Sequence, residues 1–247
     1  GNDDMSASQT GRSLYRSIVA LALIAGAYEA LARSGAFPPA LLPTLPTVAD
    51  ALWSGMADGT LPVHAASTLY RVLLGMGLAV ALGTPLGILM GRVPAVEGFV
   101  LPLASALMPI PSLAWVPVFI LWFGLGNATA IGVVLYAALF PVLLNAWSGV
   151  RAVNPLWLRA GGAMGAGTAA LFWKVIVPGA SPFIIAGLRQ GFVRAWIAVV
   201  GAEMLAASDW GLGWVIFDAK EFLQADRMLA ALVVIGLIGL AFERLVF

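Results

Sequence analysis

Arg71, Arg194 and Glu203 stand inside long apolar runs of the chain. Charged side chains at such positions face a bundle interior or an aqueous cavity, and they mark ion or substrate pathways. Arg194 and Glu203 are nine residues apart. At 100° per residue they fall on opposite faces of one helix and cannot pair within it. Arg71 lies near the outer end of its run, at the depth of Glu203, so an Arg71–Glu203 pair between two helices is geometrically open. The alternative is that both side chains snorkel to the outer interface. Arg194 is too central to snorkel easily and is expected to face the bundle interior or a pathway.

Other chemistries find little support. There is no cysteine, which removes disulfides, thiol catalysis and Cys-ligated metals. The one histidine, His64, cannot build a His-rich metal site and is expected in a loop. No G-x-x-x-x-G-K-[ST] phosphate loop occurs in the sequence, so any ATP belongs to a partner. Nor is there a nucleophile–base set that would support an intramembrane enzyme. The net charge of +1 implies no nucleic-acid partner.

The elements that hold these residues follow from composition. The chain of 247 residues is 61% hydrophobic and 10% charged, far below the usual quarter, so lipid is its solvent over much of its length. Six runs are long enough to span: 14–33, 67–91, 98–123, 128–150, 183–206 and 228–247. Backbone groups in lipid must pair within their own segment, and the runs do not alternate as barrel strands do. The expected fold is therefore all-α, with six transmembrane helices. The polar residues 1–13 read as an N-terminal tail, and the first apolar run as a retained helix with no clear cleavage pattern.

Lysine and arginine set the orientation. With the N-terminus inside, inner segments carry Arg12, Arg16, Arg92, Arg151, Arg159, Lys174, Arg189 and Arg244, while outer ones carry Arg33, Lys220 and Arg227. Residues 151–182 are then cytoplasmic, and 34–66 and 207–227 face outward. Segment 34–66 opens with Pro38, Pro39, Pro43 and Pro46, then gives way to a short surface helix. Thr47 is its expected N-cap, with Asp50 three residues on, and Val48, Ala51, Leu52 and Met56 share a face. Such a helix either packs on the bundle or docks a partner.

Span 98–123 carries Pro102, Pro109, Pro111 and Pro117. Pro109 and Pro111 each remove a backbone donor and clash with the preceding turn, so no continuous helix is expected through 105–113. Broken helices survive in membranes where they are buried or line a cavity. The alternatives are a structural kink and a pathway element. Pro109, Pro111 and Trp115 are candidate pathway residues, together with Arg194, Glu203 and Arg71.

The insert "RAGGAMGAGTAALFWKVIVPG" (159–179) lies between two apolar runs. Upstream, Asn154 and Pro155 read as an N-cap followed by proline at the first helical position. The glycines at 161, 162, 165 and 167 are expected to end this first helix. Thr168 would cap a second, Pro178 would stop it, and Ser181–Pro182 would start the next span. Helix–helix connections usually run to two to eight residues. One of more than thirty, with an apolar face, suggests a docking element rather than an ordinary loop.

The insert resembles the signature of binding-protein-dependent ABC importer permeases, written E-A-A, three residues, Gly, nine residues, I-x-L-P. Arg159, Ala160 and Gly161 occupy the E-A-A places, Gly165 the glycine, and Val175, Val177 and Pro178 the I, L and P places. Arg159 and Gly161 depart from the pattern. Segments 67–92, 107–127 and 187–208 resemble the nitrate/sulfonate/taurine branch, and 211–228 looks closest to aliphatic-sulfonate and taurine permeases.

The resemblance implies a type I ABC importer permease fold and transport of a small anion across a bacterial inner membrane. It implies a coupling helix seated on a separate ATPase, with Leu156, Trp157, Arg159, Ala160, Gly161, Met164 and Gly165 as coupling residues. It also implies a second permease copy, two ATPase subunits that bind the ATP and Mg, and a periplasmic or lipoprotein substrate-binding protein. The competing reading is a secondary transporter or channel that works without ATP. The internal repeats typical of such transporters are not visible.

Overall fold

The computed structural model describes residues 2–206 and 209–246, with side chains for 16, 19–206 and 209–244. Arg12 and the first two residues of the outer segment 207–227 therefore lie, as side chain or altogether, outside the described residues. All regular structure among the described residues is helical. The order is α1 (Asn2–Arg33), α2 (Leu45–Ala57), α3 (Thr60–Arg92), α4 (Pro94–Leu107), a 3-10 turn Ser112–Trp115, α5 (Val116–Phe123) and α6 (Asn127–Ala152). It continues with α7 (Pro155–Ala163), α8 (Thr168–Leu171), a π turn Phe172–Ile176, α9 (Val177–Ala206), α10 (Leu212–Glu221) and α11 (Ala225–Val246).

Helix α6 is the centre of the bundle, with α3 on one side and α9 on the other. Lipid supplies no hydrophobic drive between apolar helices, so close backbone approach and van der Waals packing hold them together. The sequence meets that need with small residues. On α3, Gly75, Ala79, Gly83, Gly87 and Gly91 recur along the face that meets α6. A Cβ on Gly87 would stand 2.3 Å from the Leu143 carbonyl oxygen, and one on Gly187 of α9 would stand 2.7 Å from the Asn145 Cβ. Between these contacts Val72, Val134, Ala138, Ala195 and Val199 are sealed from solvent, under Phe192 and Trp196.

Among the described residues, four helices are long and apolar enough to cross a membrane: α3, α6, the continuous stretch Thr168–Ala206, and α11. A fifth crossing forms if α4 and the 112–123 helix count as one broken span. These two meet at 88°. The expected break at Pro109–Pro111 is therefore present, with Pro111 extended at φ −58°, ψ 135°. The expected run 14–33 falls within α1, where only part of the side chains are described, so six crossings remain an expectation. Helix α1 touches the start of α2 through Tyr28 and Glu29 near its C-terminal end, and its Leu21, Leu23 and Ile24 are exposed.

Four local expectations are corrected. Helix α2 starts at Leu45, not after Thr47, and its cap comes from another element. Glu29 of α1 accepts the Leu45 N–H at 2.7 Å, placing a carboxylate at the helix's positive end, while Thr47 Oγ1 lies 2.9 Å from Thr44 Oγ1. His64 is not a loop residue. Helix α3 begins at Thr60, where the Thr60 N–H and hydroxyl both donate to Asp58 and hold its carboxyl below the usual range.

Gly167 caps α8, with Thr168 already helical. Pro178 does not stop the second insert helix. The π turn at Phe172–Ile176 widens the ladder just ahead of it, the kind of local register change that lets a helix carry a proline. Further on, Pro182 has no N–H to offer the Pro178 carbonyl. The Ser181 hydroxyl donates to that carbonyl at 2.8 Å instead. One helical stretch thus runs from the insert through the fifth apolar run.

Candidate functional site

The broken span builds an open cavity. Pro109 and Pro111 lie on its wall with Tyr136 and Phe140 of α6 and Arg194 and Ile197 of α9, around a volume of about 470 Å³. The 88° turn is what exposes this wall, because a straight helix would fill the space with its own turns. Tyr136 donates its hydroxyl to the Leu107 carbonyl at 2.6 Å, occupying an acceptor freed where α4 ends. Trp115 does not line the cavity itself. Its ring lies 5.4 Å from that of Tyr136 and 5.9 Å from that of Phe119, behind the wall. Arg194 is exposed to the open space and makes no hydrogen bond or ion pair among the described residues.

Arg71 and Glu203 are elsewhere. They meet at 2.7 Å between Nη1 and Oε1, with side chains 4% and 0% exposed. Neither snorkels. The charges survive burial because they pair with each other and with several further hydrogen-bonding groups. The Arg71 Nε–H donates to Asn127 Oδ1 at 2.8 Å, and its Nη1 also donates to the Trp210 carbonyl. Glu203 Oε2 accepts from the Thr68 hydroxyl at 2.9 Å and from the Gly213 N–H at 3.0 Å. Thr68 Oγ1 accepts in turn from the Leu212 N–H at 2.9 Å, and His64 Nδ1 from the Gly211 N–H at 3.0 Å. The His64 ring stacks on Trp214 with centroids 5.5 Å apart.

Three consecutive N–H groups at the start of α10 are thus taken by side chains of α3 and α9. Ordinarily a helix's own N-cap would serve them. Gly211 has φ +139°, and a Cβ there would stand 2.5 Å from the Glu203 carboxyl carbon. Sequence reasoning named Arg71 and Glu203 but missed His64, Thr68, Asn127 and the Gly211–Gly213 turn. One signal was available. His64, Thr68 and Arg71 fall at i, i+4 and i+7, a polar stripe on an otherwise apolar helix. Arg71 also borders a second cavity of about 440 Å³ with Tyr70, Asn127, Asp209 and Trp210, while Glu203 borders neither cavity.

At the other end of the bundle lies the insert. Asn154 Oδ1 accepts the Leu156 N–H at 2.9 Å, and Pro155 takes the first helical position, as its sequence implies. Helix α7 ends in a Schellman turn. The Ala166 N–H reaches the Gly161 carbonyl, the Gly165 N–H reaches that of Gly162, and Gly165 adopts φ +81°. Leu156, Trp157 and Met164 are 64%, 56% and 82% exposed, and Arg159 and Ala160 are exposed beside them. Gly161 points the other way. It is buried, and a Cβ there would stand 2.6 Å from the Leu171 side chain. Leu158 packs inward with Val150, Ile176 and Ala180. A short helix with inward leucine and outward aromatic, aliphatic and basic side chains offers a compact face to another protein.

Residues 83–247 match the family described as the binding-protein-dependent transport system inner membrane component. The chain is 36% identical over 237 residues to the taurine transport system permease protein of Escherichia coli, covering 94% of this chain and 86% of that one. It is 30% identical over 241 residues to the putative aliphatic sulfonates transport permease protein of Bacillus subtilis, covering 96% and 87%. It is 30% identical over 193 residues to the nitrate import permease protein of a Synechocystis species, covering 78% and 70%.

Proposed function

The chain belongs to the binding-protein-dependent inner membrane components of ABC transport systems, with their type I permease fold, and we propose from this that it imports a small anion, a sulfonate or a comparable oxyanion. The observation that carries the anion reading is Arg194. It is a guanidinium without a protein partner, among the described residues, on the wall of a cavity whose other lining is mostly apolar. The apolar wall lowers the local dielectric beside it, so such a cation attracts anions and repels cations. The relatives that resemble this chain are named for taurine, sulfonates and nitrate, and the charge agrees with those names.

In this reading the chain is one half of a two-fold permease pair, seated in a bacterial inner membrane with its N-terminus in the cytoplasm. Residues 1–13 form a cytoplasmic tail, and 14–247 form a single transmembrane domain interrupted by the insert 151–182. The cavity beside Pro109, Pro111 and Arg194 opens toward the passage between the two copies. The exposed face of α7, with Leu156, Trp157, Arg159, Ala160, Met164 and the turn at Gly165, seats on one of two ATPase subunits. Those subunits hold the ATP and Mg, and this chain needs no cofactor of its own. A periplasmic or lipoprotein binding protein delivers the cargo to the outer side.

Copurification and reconstitution test this reading. An ATPase recovered in stoichiometric amount, with uptake of a sulfonate or nitrate that stops when ATP is withdrawn, supports it. Uptake that continues in ATP-free vesicles sinks it and returns the ATP-independent transporter as the better account.

A further inference from the structure

A second cluster of charge sits at the insert end of the bundle. Helix α3 ends at Arg92, α4 begins at Pro94, and α6 ends at Ala152. Their ends enclose an open cleft of about 600 Å³ with Arg92, Glu97 and Arg151 on its polar side and Met90, Leu101 and Pro102 on its apolar side. The Arg151 Nη1 donates to Glu97 Oε1 at 2.5 Å, and its guanidinium lies 5.7 Å from the centre of the Trp147 ring. Arg92 is exposed and makes no hydrogen bond or ion pair among the described residues. Two guanidinium groups against one carboxylate leave the cleft a net positive charge.

We infer that this cleft binds the phosphodiester headgroup of an anionic phospholipid. Guanidinium forks match phosphate oxygens in geometry as well as charge. Basic pockets between spanning helices on the cytoplasmic side suit acidic headgroups. The cleft stands where two spans end, which is headgroup depth, and Trp147 lies one turn below Arg151 with its ring near the guanidinium. Its apolar side continues along α4, where Phe99 is 71% and Leu103 49% exposed. A soluble anion has no use for that surface, whereas acyl chains do.

The test is native mass spectrometry of the full chain in detergent, titrated with phosphatidylglycerol and with phosphatidylcholine. Phosphatidylglycerol is expected to bind at least tenfold more tightly than phosphatidylcholine. Each cation removed should weaken it about fivefold, so Arg92→Gln/Arg151→Gln loses about twentyfold or more. Arg244→Gln, which removes a cation from the last turn of α11, should leave the preference unchanged. Equal binding of the two lipids, or an unchanged preference in the double variant, overturns the inference. Displacement of phosphatidylglycerol by millimolar inorganic phosphate does so too, since the site would then belong to a soluble anion. Should the double variant melt early, Glu97→Gln carries the test alone. It removes no cation and is expected to tighten phosphatidylglycerol severalfold, and failure to tighten it overturns the assignment.

Discussion

Arg71 of α3 and Glu203 of α9 form an ion pair at 2.7 Å that is almost wholly closed to solvent, and the backbone of residues 210–213 is hung on the same two side chains and their neighbours. The pair therefore does more than cancel two charges. It fixes the start of α10 against two spans at once.

Removing one partner leaves the other buried and unpaired. Glu203→Ala is expected to cost about 3–5 kcal/mol, because Arg71 keeps its charge with no counter-ion. The double change Arg71→Met/Glu203→Met should be less destabilising than this single change, although it still orphans the Gly213 N–H. Thermal unfolding of the purified permease in detergent reads both. A double variant that melts earlier than the single would show that the pair is not the source of the loss.

Gly165 is required for its backbone, not for space. Its φ is +81° and a Cβ there meets nothing within 4 Å. Gly165→Val is thus strained without being crowded, and the end of α7 should re-form in another conformation. The expected outcome is a folded permease with uptake down at least tenfold and ATPase activity no longer stimulated by cargo-loaded binding protein. Normal stimulation with normal uptake would remove α7 from the coupling role.

Arg194→Gln tests the charge in the cavity. The variant should assemble and retain ATPase activity while uptake of the native anion falls at least tenfold. Arg194→Lys, which keeps the charge and loses the fork, should fall less. Unaffected uptake in the glutamine variant makes Arg194 structural.

Pro109→Ala/Pro111→Ala restores two backbone donors in the break between α4 and the 112–123 helix. With the donors back, the two pieces can merge into one straighter span and close the cavity wall. Uptake should fall while the chain still inserts and stays soluble in detergent. Wild-type uptake would mean that the kink is incidental.

Gly87→Val tests the close approach of α3 to α6. The branched side chain would enter the space of the Leu143 carbonyl, and overpacking of this kind costs about 1–3 kcal/mol or more. Gly77→Val on the same helix has open space around it and should melt close to wild type. Equal melting of the two variants would contradict the packing described.

The apolar runs from residue 67 onward, the break at Pro109–Pro111 and the Asn154–Pro155 helix start could be read from the sequence, because each rests on local chemistry. Proline lacks a donor wherever it stands, and a run of twenty apolar residues is long enough in any context. The caps of α2 and α10 could not be read in this way. Their partners, Glu29 for Leu45 and the trio His64, Thr68 and Glu203 for Gly211–Gly213, come from elements distant in sequence. The place of His64 escapes the sequence for the same reason. A lone histidine looks like a loop residue until the backbone group it serves is known. The continuation of the helix past Pro178 was hidden as well, since a π turn leaves no residue-type signature that separates it from ordinary helix.

The stretch Thr168–Ala206 has all its weak joints at one end. The π turn, Pro178 and Pro182 fall within its first fifteen residues, and beyond them α9 is regular. Mechanically it is a rod with a compliant root. At 1.5 Å per residue, about 50 Å separates Thr168 from Glu203, and about 13 Å separates Arg194 from Glu203. A tilt of about 5° at the root displaces the far tip by several ångströms without altering the spacing of the two charges. A bend at that root would therefore shift the cation of the cavity and the anchor of α10 together, because both stand on the regular part of α9 beyond the prolines.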